Sequence, residues 1–418
     1  MTRNLLYFLF ASVLFAGTDD SFLLRNVTVH TVSGGDLQGA AVLVRDGKIA
    51  GVGSKLSAPK GVRIVEGRGL HVYPGMIDSA SEIGLSEIGA VGVTVDTTEI
   101  GPFNPQLRAA AAVNPASEHI PVTRANGITS VIVLPDGGVL SGQAALMHLS
   151  GWTWESMQFR APVAFHLNFP SLGTTSGVPP ARPFKEVKVD YERRLDSLKD
   201  FFEQARRYQT ARKAGDRTLA TDLKFEAMLP VLEGKVPLLV EAEKAETIRA
   251  AIDFASREKV KIVLGKATEA RKVAKEIKAA GIPVILGSTL ELPPQEDDPY
   301  DEAFTLPADL FNAGIKFAFG THSAAFSRDL PYSASMAAAF GLPQQEALRA
   351  VTLNAAEIWG VADQLGSIDT GKWADLMVTD GDPLEARTQV KYVFIKGKAI
   401  DVKDNKHYRL FERYMNRP

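Results

Sequence analysis

The sequence predicts an α/β protein of parallel strands with a smaller β unit built from both chain ends. Three observations predict it. Short apolar runs alternate with helical patterns through the middle of the chain, from VYPGMIDS to IKFAFGTH. Strands that alternate with helices run parallel, in a doubly wound sheet or a closed barrel. The two chain ends differ. FLLRNVTVHTV and AVLVRDGKIAGVG at the start, and ADLMVTDG and VKYVFIKGKAIDV near the finish, alternate apolar and polar residues around Gly/Asp turns, the pattern of short antiparallel strands. Two β-rich ends that bracket one α/β unit pair most simply with each other. At 418 residues the chain has room for a large barrel and such a unit.

The elements follow in order. Arg3 supplies positive charge, Leu5–Ala16 is apolar except for Ser12, and Gly17 to Asp20 turns polar, which is the grammar of a secretory signal. A dozen apolar residues falls short of the roughly 20 that a spanning helix needs. Residues 1–17 are therefore expected to be removed, leaving no integral membrane segment and an exported, periplasmic protein. The absence of cysteine excludes disulfides and fits that compartment. Residues 18–70 and 362–405 are read as the composite β-sandwich, 71–361 as the α/β unit, and 406–418 as a tail forming a helix over the β unit. The strand candidates are VYPGMIDS, ITSVIVLP, VAFHLNFP, VPLLVEAE, VKIVLG, IPVILG and IKFAFGTH. Helices are expected over Tyr191–Ala214, Ala245–Glu258, Ala267–Ala280, Tyr332–Phe340 and Pro343–Trp359. Composition is that of an ordinary globular chain, with 45% apolar and 23% charged residues, and a net charge of -2 argues against nucleic acid as a partner.

Four segments carry a resemblance. They are VRDGKIAGVG, HVYPGMIDS, NGITSVIVLPDGGVLSGQ with GWTWESM after it, and ALRAVTLNAAEIWGVADQLGSIDTGKWADLMVTDGDPL running into VFIKGKAID. In this order, over nearly the whole mature chain, they resemble the amidohydrolase superfamily, in its imidazolonepropionase-like exported bacterial branch. The resemblance implies a (β/α)8 TIM barrel with a split β-sandwich. It also implies hydrolysis of non-peptide C–N bonds, such as those of cyclic amides, by a metal-bound water at the C-terminal ends of the strands. Carried over residue by residue, the metal positions fall on Ala80 and Glu82 in the first barrel strand and on Glu241 in the fifth. In the sixth they fall on Gly265 or Lys266, and in the eighth His322 stands where the family has a catalytic Asp. At every one of these positions, the fifth-strand histidine included, the family's usual residue has been exchanged.

A misplaced alignment does not restore them. The seven histidines include no His-x-His and no HExxH, and there is no cysteine, so neighbouring motifs do not assemble a zinc site of three or four N/S ligands. The loss is chemically large. Zinc lowers the pKa of bound water from about 15.7 to about 7, which corresponds to about 12 kcal/mol of acidity. A lone histidine base supplies only about 3–5 kcal/mol.

Three readings of the mouth compete, the last being that these residues are scattered and unrelated. In the first no cofactor is held, and Lys266 occupies the metal's place and neutralises Glu82 and Glu241. In the second a divalent ion, zinc by default, sits on Glu82, Glu241 and His322. His166 is either a substrate contact or a packing histidine, and Asp96 and Glu99 are candidate substrate contacts on a loop over the mouth or plain turn residues. Asp136 with the two glycines after it reads as a turn. The expected partners are a small-molecule or short-peptide ligand, a second copy of the chain, or a metal-competent paralogue that this chain would scaffold.

Overall fold

A computed structural model describes residues 20–172, 183–215, 218–293 and 299–417; the expected export segment lies outside them. The centre is a nearly closed barrel of eight strands. They are β1 (Met76–Ser81), β2 (Ile128–Val133), β3 (Leu140–His148), β4 (Gln158–Asn168), β5 (Leu238–Glu241), β6 (Ile262–Lys266), β7 (Val284–Leu286) and β8 (Phe317–Phe319). Neighbours follow chain order. All pair in parallel except β3, which runs antiparallel to both β2 and β4. This reversed strand is the one missing from the seven runs expected of the sequence. A backbone hydrogen bond from His322 N to Ala80 O, 2.7 Å, ties the end of β8 to β1. A Cβ at Gly320 would lie 2.5 Å from the Ala80 Cβ, so only glycine permits that seam.

The strands are apolar on both faces because both faces are covered. Ile77, Ile132, Ala164, Leu239, Val263, Ile285 and Ala318 share one core inside the barrel. Met76, Val131, Phe165, Leu238, Leu264, Val284 and Phe317 share another, with helical residues such as Phe202, Ala251 and Leu310. Each fully buried side chain of this size contributes about 1.5–3 kcal/mol. The long helix Phe184–Lys213 shows why its partner face forms: Leu198, Phe201, Phe202 and Ala205 fall at helical spacing and are buried. The short helix Leu353–Ile358 places Ala355 and Ala356, with Trp359 just after it, in the interior core.

Three helical expectations are corrected. Pro343–Trp359 is two helices, Gln344–Ala350 and Leu353–Ile358, broken at Thr352 with φ -135 and ψ -94. The stretch expected as Ala267–Ala280 begins as a 3-10 turn, Ala270–Val273, before the helix Ala274–Ala280. The tail is helical over Lys406–Met415, capped by Asn405, but it lies beside the barrel helix His119–Arg124, where Arg409 reaches Glu118 at 3.8 Å, and does not cover the β unit.

Both chain ends build one eight-stranded sheet. The C-terminal strand Leu376–Thr379 pairs antiparallel with His71–Pro74, which pairs in turn with Phe22–His30. The sheet curls enough for Phe22 and Phe394 to stack with ring centroids 4.4 Å apart. No helix among the described residues is long and apolar enough to cross a membrane.

Candidate functional site

Strand parity decides which side chains enter the barrel mouth. On β5, Leu239 points inward, so Glu241, two residues on, points inward one layer higher. On β4 the same count from Ala164 brings His166 and Asn168 to the inside. On β6, Val263 faces in and Gly265 follows, opposite Glu241 in the ladder. A Cβ at Gly265 would stand 2.8 Å from Glu241 Oε1, so the glycine makes room for that carboxylate. Lys266 and Ala267 then adopt φ +60 and +43, and His322 adopts φ +48. Such left-handed turns cost about 1 kcal/mol or more in a non-glycine residue.

Four side chains converge. His166 Nε2 lies 3.3 Å and His322 Nδ1 3.5 Å from Glu241 Oε1, and Lys266 Nζ lies 3.7 Å from Oε2. His166 Nδ1 donates to Pro135 O at 2.7 Å. Burial works against a charged His166, but the hydrogen bond and charge of Glu241, then Pro135 O and Asp136, raise its pKa above the usual imidazole range. Burial likewise opposes ionisation of Glu241. The fields of His322, His166 and Lys266 and the His166 hydrogen bond reverse that and hold the carboxyl well below its ordinary range. His322 is pushed down to about 4, by burial first and by the Lys266 and His166 cations, against the pull of Glu241. The imidazoles therefore divide. Beside the same carboxylate, His166 is shifted up and His322 down.

Lys266 keeps its proton despite burial because Glu241, Glu243, Asp136 and Glu291 surround it. Glu82 shares the mouth less closely. It is half-buried, and burial followed by Asp136 raises its pKa against Lys266 and His166. Among the described residues no hydrogen bond or ion pair joins it to Lys266. Glu241 Oε2 and His322 Nε2 are buried and have no hydrogen-bond partner among the described residues. A cavity of about 680 Å³ opens beside Lys266 and His322, with Glu243, Glu291, Leu292 and Phe326 on its walls.

Asp96 and Glu99 stand apart, exposed on the loop after β1. Asp96 N donates to Leu85 O at 2.7 Å, and Glu99 Oε1 accepts from Ile100 N at 2.9 Å, which are turn roles. Two residues of the cluster were not singled out for it in the sequence. Asp136 follows β2 and accepts from Asn168 Nδ2 at 3.0 Å; Asn168 lies two residues after His166 and so shares its face. The usable signal was the position of both at strand C-termini, where barrel sites gather.

A second knot lies under the seam of β1 and β8. Asp78 Oδ1 accepts from Ala80 N at 3.2 Å and Thr321 N at 2.9 Å, and Oδ2 accepts from Thr321 Oγ1 at 2.5 Å and Ser327 Oγ at 2.9 Å. Burial nevertheless pushes this carboxyl up to about 6, because its donors are neutral and only partly offset desolvation.

Chemically, the mouth offers a cation at Lys266, a free carboxylate oxygen at Glu241 and a free imidazole nitrogen at His322. Among the described residues no group of three or more His, Cys, Asp or Glu side chains is placed to hold a metal ion.

Comparison with known proteins agrees with this architecture. Residues 226–400 match the Amidohydrolase family. The crystal structure of an amidohydrolase from Thermotoga maritima MSB8 superimposes with a TM-score of 0.81 at 27% identity, covering 91% of this chain and 99% of that one. A zinc-bound adenosine deaminase from Xanthomonas campestris shares the fold, with a TM-score of 0.51 at 17% identity over 94% of this chain and 98% of its own. Amidohydrolase tasK of Hapsidospora irregularis is 24% identical over 86% of this chain, which spans only 39% of that protein's length. Over residues 226–400 the chain is thus similar to the Amidohydrolase family, and its described fold is similar to that of a solved amidohydrolase.

Proposed function

We propose that this chain binds a small cyclic amide at the barrel mouth through the charged cluster around Glu241 and does not run metal-dependent hydrolysis. The observation that carries the reading is the setting of Glu241: His166, His322 and Lys266 already surround the carboxylate. A hydrolase-type divalent ion does not fit there. Ala80 and Gly265 offer no donor, and an ammonium stands 3.7 Å from Glu241 Oε2. A buried carboxylate needs a cation or a proton, and here side chains supply it. The free groups suit a lactam-like ligand: its N–H would donate to Glu241 Oε2, and its carbonyl would accept from Lys266 Nζ. The four sequence segments support the imidazolonepropionase-like branch, and the apolar start of the chain supports export.

A second reading keeps metal at Glu82, Glu241 and His322. It is favoured by the two buried atoms without partners, Glu241 Oε2 and His322 Nε2. Metal analysis separates the two. Protein stripped with chelator, reloaded with zinc and dialysed should retain less than about a tenth of an ion per chain, while hydantoin raises its melting temperature without being consumed. About one retained ion per chain, lost in Glu241→Gln, would overturn the proposal and establish the second reading.

A further inference from the structure

At the opposite end of the barrel, below the N-terminal ends of β4 to β7, lies a separate cavity of about 940 Å³. Its volume lies within the range of small-molecule sites, roughly 300–1,000 Å³. The floor of a TIM barrel normally serves stability, so an open site there needs its own account. Val236, Ile252, Ile282 and Ile358 give it apolar walls, and among the described residues no Asp or Glu lines it. The charged groups that do line it are all basic: Arg160, Lys235 and Lys261. Lys235 is matched by Glu233 at 2.8 Å, and Arg160 donates to Gly360 O at 2.5 Å. Lys261 has no ion-pair partner among the described residues. Trp359 adds an independent observation. It lines the cavity and is only 4% exposed, yet its indole Nε1 finds no acceptor among the described residues. A buried N–H without an acceptor costs about 1–3 kcal/mol, so a ligand oxygen placed there would recover that energy.

The geometry points to a second ligand site at the barrel floor that takes an amphipathic carboxylate. The carboxylate would accept from Trp359 Nε1 and pair with Lys261 and Arg160, and the apolar tail would lie along the isoleucine wall. This site is independent of whatever the mouth binds. The apolar walls alone would accept any hydrophobe, and the basic lining with the unpartnered donor selects the anion. Charge-assisted hydrogen bonds are roughly twice as strong as neutral ones.

The probe is sodium decanoate, with 1-decanol as its neutral counterpart, titrated into the full-length protein by calorimetry. One decanoate should bind per chain, with 1-decanol at least about tenfold weaker. Lys261→Met keeps the apolar stem and Trp359→Phe keeps the ring, and each should weaken decanoate about tenfold. Lys266→Met, at the mouth, should leave decanoate binding unchanged. Melting curves confirm that the variants are folded, and because Lys261 is exposed its substitution is not expected to disturb folding. Failure of decanoate to bind, equal binding of 1-decanol, or a loss seen in Lys266→Met with none in the floor variants would each overturn the assignment.

Discussion

Glu241 and Asp78 are both carboxylates withdrawn from water near the same barrel mouth, and their surroundings drive them in opposite directions. Glu241 stands among His166, His322 and Lys266 and is held well below the ordinary range. Asp78 receives more and shorter hydrogen bonds, all from neutral donors, and is pushed up to about 6. Hydrogen bonds satisfy lone pairs, but they do not replace the hydration energy of a full charge as a neighbouring cation does. The two carboxylates have different structural roles as well. The Glu241 cluster keeps a charged group at the mouth, where it can meet a ligand. The Asp78 knot ties Thr321 and Ser327 to β1 and so positions the turn that presents His322.

The largest test of this contrast removes the negative charge from the cluster. Breaking a buried ion pair from one side costs about 3–5 kcal/mol, and because His166 can release its proton, Glu241→Gln should fall near 3 kcal/mol in guanidinium unfolding at pH 7. The sign with pH follows from a depressed folded pKa. The stabilisation is present above the unfolded value of 4.5 and is lost as pH falls through the lower folded one. The cost of Glu241→Gln should therefore shrink below pH 4.5. A cost that grew in acid would show that the surrounding cations do not set the state of Glu241.

Asp78→Asn should behave in reverse. The folded pKa of about 6 exceeds the unfolded 3.8, so the folded protein holds the extra proton and wild-type stability falls as pH rises between those values. Asparagine has no such proton to lose. Relative to wild type, the variant should gain roughly 2–3 kcal/mol between pH 4 and pH 7, whatever its cost in acid from the altered bonds to Thr321 and Ser327. Parallel pH profiles for the two substitutions would abolish the distinction between the knots.

Much of this arrangement was legible in the sequence, and what was not has physical causes. The barrel strands with unbroken apolar runs were readable, as was the pairing of the β-rich ends. β3 was not, because Ser141, Gly142 and Gln143 interrupt its apolar pattern with residues that favour turns. The helices Leu223–Leu232 and Glu302–Asn312 were hidden by Pro230 and Pro307, which sit inside them although proline normally ends a helix. At the site, it was the family resemblance that placed Glu82, Glu241, Lys266 and His322 at the mouth. The pairing of Lys266 with Glu241, and not with Glu82, depends on a left-handed turn at lysine, and lysine carries no sequence signature for that conformation. The engagement of His166 depends on the register of β4 against β5, where it sits beside Leu239 one layer below Glu241, and composition cannot supply a register.

The smallest change that probes the comparison adds one methyl group. Gly265→Ala would place a Cβ 2.8 Å from Glu241 Oε1 and 3.0 Å from its Cδ. The carboxylate ends a flexible side chain, but His166 and Lys266 hold it, so relief of the clash must pull it from at least one of them. Overpacking of this kind costs about 1–2 kcal/mol. The His166 pKa should fall toward its ordinary 6.5 as the carboxylate withdraws, which an imidazole NMR titration would read. A double-mutant cycle isolates the cause. With Glu241→Ala in the background the added methyl meets open space, and most of its cost should disappear. If Gly265→Ala costs as much with the carboxylate gone, the glycine serves the strand backbone, and the close approach of Glu241 is incidental to it.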